Sequence, residues 1–207
     1  MKITKLGHSC LLVEMPDRTA LFDPGVMSNV DVDSLEFLDD IIITHEHADH
    51  INMELIPKLV EKFPDVRITS TPGAVSQLKG AGIAASSEES DGIVFFNAPH
   101  EDVEPLFPKP DEIGVHYLDM LTHPGDSHSF EESKDILALP VTAPWGATTK
   151  AVHLALEHKP KYVIPIHDWH WRDEAREMMY GGLEQALGAE GITFIKIKDG
   201  EPVNLDV

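Results

Sequence analysis

Residues 44–50 read Thr-His-Glu-His-Ala-Asp-His, so three imidazoles and an aspartate, His45, His47, Asp49 and His50, crowd into six positions. Histidine is the commonest transition-metal ligand, and carboxylate oxygen is its usual companion where the metal must also hold a reactive water. Four such groups in one turn imply more than one metal. Groups of the same types recur at His100, Asp126 and His167.

Each of these groups follows a short apolar run with the length of a strand. Ile41 to Thr44 leads into the cluster, Ile93 to Phe96 leads to Ala98-Pro99-His100, Val115 to Leu121 runs as one strand into His123-Pro124-Gly125-Asp126-Ser127, and Tyr162 to Ile166 ends at His167. Turns at strand ends can aim such side chains at one point. Further strands are expected at Ile3 to Leu6, Ser9 to Val13, Thr19 to Phe22, Val66 to Ser70, Ile136 to Thr142 and Thr193 to Ile197, the last followed by a polar tail. Pro16-Asp17-Arg18 marks a hairpin turn. Helices are expected around Leu55 to Phe63, with Pro57 in the first turn, over 72–82, over Thr149 to His158, and over about Asp173 to Leu187 across the weak point Gly181-Gly182. Strands and helices therefore intermix as in an α/β protein, and the second half repeats the plan of the first.

The chain resembles the metallo-β-lactamase superfamily. Its His-x-His-x-Asp-His signature is matched by His45-Glu46-His47-Ala48-Asp49-His50, preceded by Phe22-Asp23-Pro24-Gly25 and followed by His100, Gly125-Asp126-Ser127 and His167. The resemblance implies a four-layer αβ/βα sandwich of two mixed sheets with helices outside. It also implies a ligand assignment: His45, His47 and His100 on a first metal, Asp49, His50 and His167 on a second, and Asp126 bridging the two. The opening Gly7-His8-Ser9-Cys10 and the Pro165-Ile166-His167 ending are similar to the ascorbate-6-phosphate-lactonase-like branch of metal-dependent hydrolases.

Such a ligand set leaves coordination positions open, where a water shared by two divalent ions loses a proton near neutral pH and becomes the nucleophile. The expected activity is hydrolysis of a small ester, lactone, thioester or phosphoester, anionic substrates included, with Asp49 and Asp126 as the catalytic carboxylates. Zinc is the first expectation, and manganese and iron suit the same ligands. Asp23 is expected to hydrogen-bond near the signature loop. His8, His123 and His128 are candidates for substrate contact, against structural roles for each, and His170 competes with His167 for the last ligand place. Two other readings stand beside the hydrolase: an iron-dependent oxidoreductase or dioxygenase on the same fold, and a metal-binding subunit without catalysis.

The bulk properties fit this frame. The 207 residues suit a single domain, with two similar halves at about 1–105 and 112–207. Lys and Arg number 16 against 36 Asp and Glu, a formal net charge of −20 that repels phosphate backbones and anionic membranes. Nucleic acid and membrane are thus not expected partners; a small molecule is, and oligomeric state is left open. The N-terminus reads as an opening strand rather than a secretory signal, and a single cysteine, Cys10, suits a reducing compartment, so a cytoplasmic location is expected. No nucleotide-binding glycine turn, P-loop or Gly-x-Ser-x-Gly elbow occurs, which leaves metal as the one cofactor expected.

Overall fold

A computed structural model describes residues 1–207 and shows an α/β chain with two mixed six-stranded sheets. The chain forms two compact units. The first comprises Met1–Glu89, Pro110–Glu112 and Lys198–Val207, and the second Ser90–Lys109 and Ile113–Ile197.

In the first unit, β1 (Lys2–Lys5), β2 (Leu11–Met15) and β3 (Arg18–Phe22) form an antiparallel meander. The turn between β2 and β3 is the two residues Pro16 and Asp17, with Met15 opposite Arg18. β4 (Asp40–Ile42) and β5 (Arg67–Thr69) add in parallel beyond β3. Helix α1 (Ile56–Lys62) tolerates Pro57 because it sits in the first turn, where the missing N–H has no helical partner to lose. Helix α2 (Pro72–Gly80) starts with Thr71 capping the Ala74 N–H and Pro72 in its first turn. Ile56, Leu59, Ala74 and Leu78 pack with Leu21, Ile41 and Ile68 into one core. Ala20, Phe22 and Ile42, which alternate with these on the strands, are also buried, so the central strands are covered on both faces.

The second unit runs in the same sense: β6 (Ile93–Phe96), β7 (Gly114–Tyr117) and β8 (Leu121–His123) are antiparallel, then β9 (Ile136–Pro140), β10 (Tyr162–Ile166) and β11 (Thr193–Phe194) add in parallel. Helix α3 (Thr148–His158) ends with Lys159 in the left-handed region, before Pro160. Helix α4 (Asp173–Gly188) opens with Asp173 and Glu174 against the positive end of its dipole and runs unbroken through Gly181-Gly182. What holds it is burial of Tyr180, Leu183 and Leu187 against Leu137, Val163 and Phe194, each such side chain contributing about 1.5–3 kcal/mol.

Two expectations are corrected. Val115 to Leu121 is not one strand but the hairpin of β7 and β8, turned by Leu118 and Asp119 at φ 53° and 56°, with the Met120 N–H donating to the Tyr117 carbonyl. A leucine rarely adopts that conformation, and Asp119 by itself did not mark the bend; pairing of the strands on either side imposes it. Likewise Thr193 to Ile197 is strand only at its first two residues, and the supposed polar tail contains β12 (Pro202–Asn204), which pairs antiparallel with β1. No helix is long and apolar enough to cross a membrane.

Away from the ligand-type residues, His116 on β7 stacks on Phe96 and pairs through Nδ1 with the Thr122 hydroxyl at 3.0 Å. Burial, then the Lys134 charge, push its pKa below the ordinary 6.5, against the opposing pull of Glu132 and Asp119. The unfolded chain therefore binds the proton more readily, and stability falls as pH drops through about 6.5 toward the lowered folded value. Thermal melts from pH 8 to 5 are expected to show a shallower acid-side loss for His116→Phe than for the natural chain; equal slopes would contradict this.

Candidate metal centre

In the first unit the signature loop leaves β4 through Ile43 and Thr44, still anchored to the neighbouring strand by the Ile43 N–H to the Thr69 carbonyl. Asp23, just past β3, organises this loop. Its Oδ1 accepts from the Thr44 N–H at 2.8 Å, and its Oδ2 from the Thr44 hydroxyl at 2.9 Å and from His50 Nδ1 at 2.7 Å. Gly25 then touches the loop itself, since a Cβ there would stand 1.8 Å from the Asp49 carbonyl oxygen. The Val26 N–H closes on the Ala48 carbonyl at 2.8 Å.

These contacts assign protons. His50 Nδ1 faces a carboxylate and so carries the hydrogen, leaving the lone pair on Nε2. His45 Nδ1 lies 3.2 Å from the Thr44 oxygen, whose own proton goes to Asp23, and 3.3 Å from Glu112 Oε1. Two acceptors around one nitrogen again place the hydrogen on Nδ1. Within this unit His45 and His47 offer ligand atoms within 4.8 Å of each other, and so do His8, Asp49 and His50. His8 is thus drawn to the cluster, its Nε2 3.2 Å from Asp49 Oδ2.

In the second unit His100, Asp126 and His167 come together. His100 Nδ1 donates to the Glu101 carbonyl at 2.6 Å, which leaves the Nε2 lone pair directed at Asp126 Oδ2, 3.5 Å away. The other carboxylate oxygen, Oδ1, lies 2.7 Å from His167 Nε2. Asp126 thereby offers one oxygen to each histidine. Trp145, whose indole N–H donates to Oδ2 at 3.1 Å, holds the carboxylate in this orientation and sets its ring 5.3 Å from that of His167.

An imidazole lone pair facing a carboxylate oxygen is acceptor against acceptor, and a cation between them turns repulsion into ligation. The 3.5 Å between His100 and Asp126 suits this, because ligands at the usual 2.0–2.2 Å from one tetrahedral ion stand about 3.4 Å apart, whereas His167 and Asp126 at 2.7 Å stand at direct hydrogen-bond distance. His50 Nε2 and Asp49 Oδ2, 3.9 Å apart, repeat the pattern in the first unit. The donor set fits divalent metal. Three of these residues, His8, Asp23 and His167, have positive φ at 49°, 41° and 65°, so the backbone is held in uncommon turns where the side chains are aimed.

The remaining candidates take supporting places. His123 is buried, and its Nδ1 accepts from the Gly125 N–H at 3.3 Å, shaping the turn before Asp126. His128 donates through Nε2 to the Pro140 carbonyl at 2.7 Å and sets its ring against Trp145. His170 is exposed, near the Thr142 hydroxyl at 3.4 Å; the histidine that meets Asp126 is His167. Glu46, inside the signature, points away to the start of α2, where it accepts from Thr71 at 3.2 Å and where a Cβ on Gly73 would strike it. Cys10 is buried, and burial, reinforced by the Asp23 charge, pushes its thiol up, so it is no nucleophile at neutral pH.

Four participants carried no sequence signal that set them apart: Glu112, Trp145, Asp168 and Glu101. Asp168 is buried beside His167, bonded to the Tyr180 hydroxyl at 2.5 Å and Arg176 Nε at 2.8 Å, and so fixes the turn that presents His167. Glu101 accepts from Lys150 at 2.7 Å and from the His128 N–H at 3.1 Å, joining the loops after His100 and Asp126. Its burial would raise the carboxyl pKa, but these two donors outweigh burial and hold it below the ordinary carboxylate value.

A family model described as the beta-lactamase superfamily domain matches residues 2–167. Protein Rv0786c of Mycobacterium tuberculosis is 31% identical over 196 residues, covering 89% of this chain and 92% of that one. Among solved structures, Igni18, a metallo hydrolase from the archaeon Ignicoccus hospitalis, gives a TM-score of 0.74 at 17% identity, over 100% of this chain and 98% of its own. CmlA, a diiron beta-hydroxylase from Streptomyces venezuelae, gives 0.69 at 14% identity, over 99% of this chain and 54% of its own. At such identities the two structures speak for the fold. The family match runs from β1 to His167 and takes in both sets of ligand-type residues, and by it the chain belongs to the metallo-β-lactamase superfamily.

Proposed function

We propose that the chain is a metal-dependent hydrolase of a small ester, lactone, thioester or phosphoester. In this reading the two sets of residues serve one dinuclear centre: His45, His47 and His100 on one ion, Asp49, His50 and His167 on the other, and Asp126 between them. The observation that supports it is the pairing of imidazole lone pairs with carboxylate oxygens, His100 with Asp126 and His50 with Asp49, in surroundings that place the hydrogen of both rings on Nδ1 and the lone pair on Nε2. Divalent ions bound there, zinc first, would supply a Lewis acid and lower the pKa of water toward neutrality.

The chain's own groups do the rest. Asp49, held by His8, accepts a proton from the attacking water and returns it to the leaving oxygen, or to the leaving sulfur of a thioester. The Trp145 indole N–H, donating to Oδ2, fixes the orientation of the Asp126 carboxylate. His50 and His45 stay oriented, with hydrogen on Nδ1, because Asp23, Thr44 and Glu112 accept there. No serine or cysteine nucleophile is needed.

A second reading, an iron-dependent oxidoreductase, draws on the shared fold with a diiron hydroxylase and on ligands that suit iron as well as zinc. The test is a panel of esters, lactones, thioesters and phosphodiesters offered to the zinc-, manganese- and iron-loaded chain. Hydrolysis with zinc or manganese, lost on chelation and regained on metal return, is the expected result. No hydrolysis with any metal, together with oxygen consumption by the iron form, would replace the hydrolase with the second reading.

A further inference from the structure

We infer that Glu112 is a positioning residue for the metal ligand His45, the partner that Asp23 provides for His50. This rests on the reading of His45 as a ligand. The Glu112 and His45 side chains both have no exposed surface, and Glu112 Oε1 lies 3.3 Å from His45 Nδ1. A carboxylate buried in this way is costly unless it meets hydrogen-bond donors or charge.

The proton inventory makes the role specific. Thr44 sits between the two histidines, its oxygen 3.2 Å from His45 Nδ1 and 3.3 Å from His50 Nδ1. It has a single hydroxyl proton, and Asp23 Oδ2 takes it. Thr44 therefore cannot donate to His45, and both neighbours of His45 Nδ1 are acceptors. The ring must carry hydrogen there and present Nε2 outward. A carboxylate acceptor also raises the basicity of the opposite nitrogen and prevents rotation of the ring. His45 and His50, whose centroids are 4.1 Å apart, thus receive one carboxylate each, with Thr44 shared between them.

Glu112 reaches this place by an unusual route along the chain. Pro110–Glu112 belongs to the first unit, whereas the residues on either side, Lys109 and Ile113, belong to the second. The loop after His100 thus returns to place one buried acid against the opening ligand of the signature.

The test measures metal affinity and ring tautomer rather than turnover. Glu112→Gln keeps the size and one acceptor oxygen, and Glu112→Ala removes both. Competition titration with a zinc chelator is expected to weaken binding of one ion about 10–100-fold in Glu112→Ala and less in Glu112→Gln, in line with other partners of ligating histidines. Nitrogen-15 histidine spectra of the metal-free chain are expected to show His45 protonated at Nδ1 in the natural chain and as a tautomer mixture in Glu112→Ala, while the His50 signals stay unchanged. Folding of each variant is checked by thermal melt. A folded Glu112→Ala with unchanged zinc affinity and unchanged His45 tautomer would overturn the inference. Failure of the natural chain to bind zinc would instead overturn the reading on which it rests.

Discussion

Asp126→Ala is expected to lose nearly all turnover, on the order of a thousandfold, and most occupancy of one ion, while the chain stays folded. The carboxylate is buried and local: it touches His100, His167 and Trp145, and no strand pairing depends on its side chain. In the proposed centre, removing it would take away the carboxylate shared between two cations. Metal electrostatics supply several kcal/mol to such transition states, and about 1.36 kcal/mol corresponds to tenfold in rate, so three decades is a conservative loss. The stability cost is confined to the donor of Trp145 and a small cavity, about 1–3 kcal/mol. Metal analysis beside a melting curve checks both parts. A variant that keeps both ions and turns over within tenfold would remove Asp126 from the bridging position.

Asp23→Ala is expected to have the larger effect on stability. Its carboxylate is fully buried and accepts from the Thr44 N–H, the Thr44 hydroxyl and His50 Nδ1. Alanine strands three donors at the start of the signature loop, each orphan costing about 1–3 kcal/mol and the set less than additively. Several kcal/mol is a large share of a typical 5–15 kcal/mol. Asp23→Asn separates folding from ligation, because its amide oxygen can still accept from Thr44 while its NH₂ opposes the His50 hydrogen. The expected outcome is a clear fall in melting temperature for the alanine variant, and a folded asparagine variant with metal affinity down about 10–100-fold. Two variants with natural affinity would show that Asp23 shapes only the turn.

The ligand-type residues were legible because chemistry marks them: four metal-binding groups in six positions, and single ones after apolar runs, are improbable as solvated side chains. Most strands and all four helices were legible through apolar runs and helical spacing, with Pro57 placed in a first turn. The hairpin at Leu118-Asp119 was not, because strand pairing imposes the turn on Leu118, which has no turn preference. β12 was hidden for a related reason: a three-residue edge strand in Glu201-Pro202-Val203-Asn204 gains its identity from β1, far away in sequence. Glu112 looked like one acid among many, in a chain with 36. Only the fold distinguishes an acid whose side chain is wholly buried against a histidine from one that solvates a loop.

The hydrolase reading stands on a pair of divalent ions held by His45, His47, His100, Asp49, His50, His167 and Asp126. Its most direct test is the metal stoichiometry of the purified chain, measured by elemental analysis against protein concentration after removal and return of metal. Close to two zinc or manganese ions per chain are expected. A chain that takes up no divalent ion, or a single one unaffected by Asp126→Ala, would contradict it.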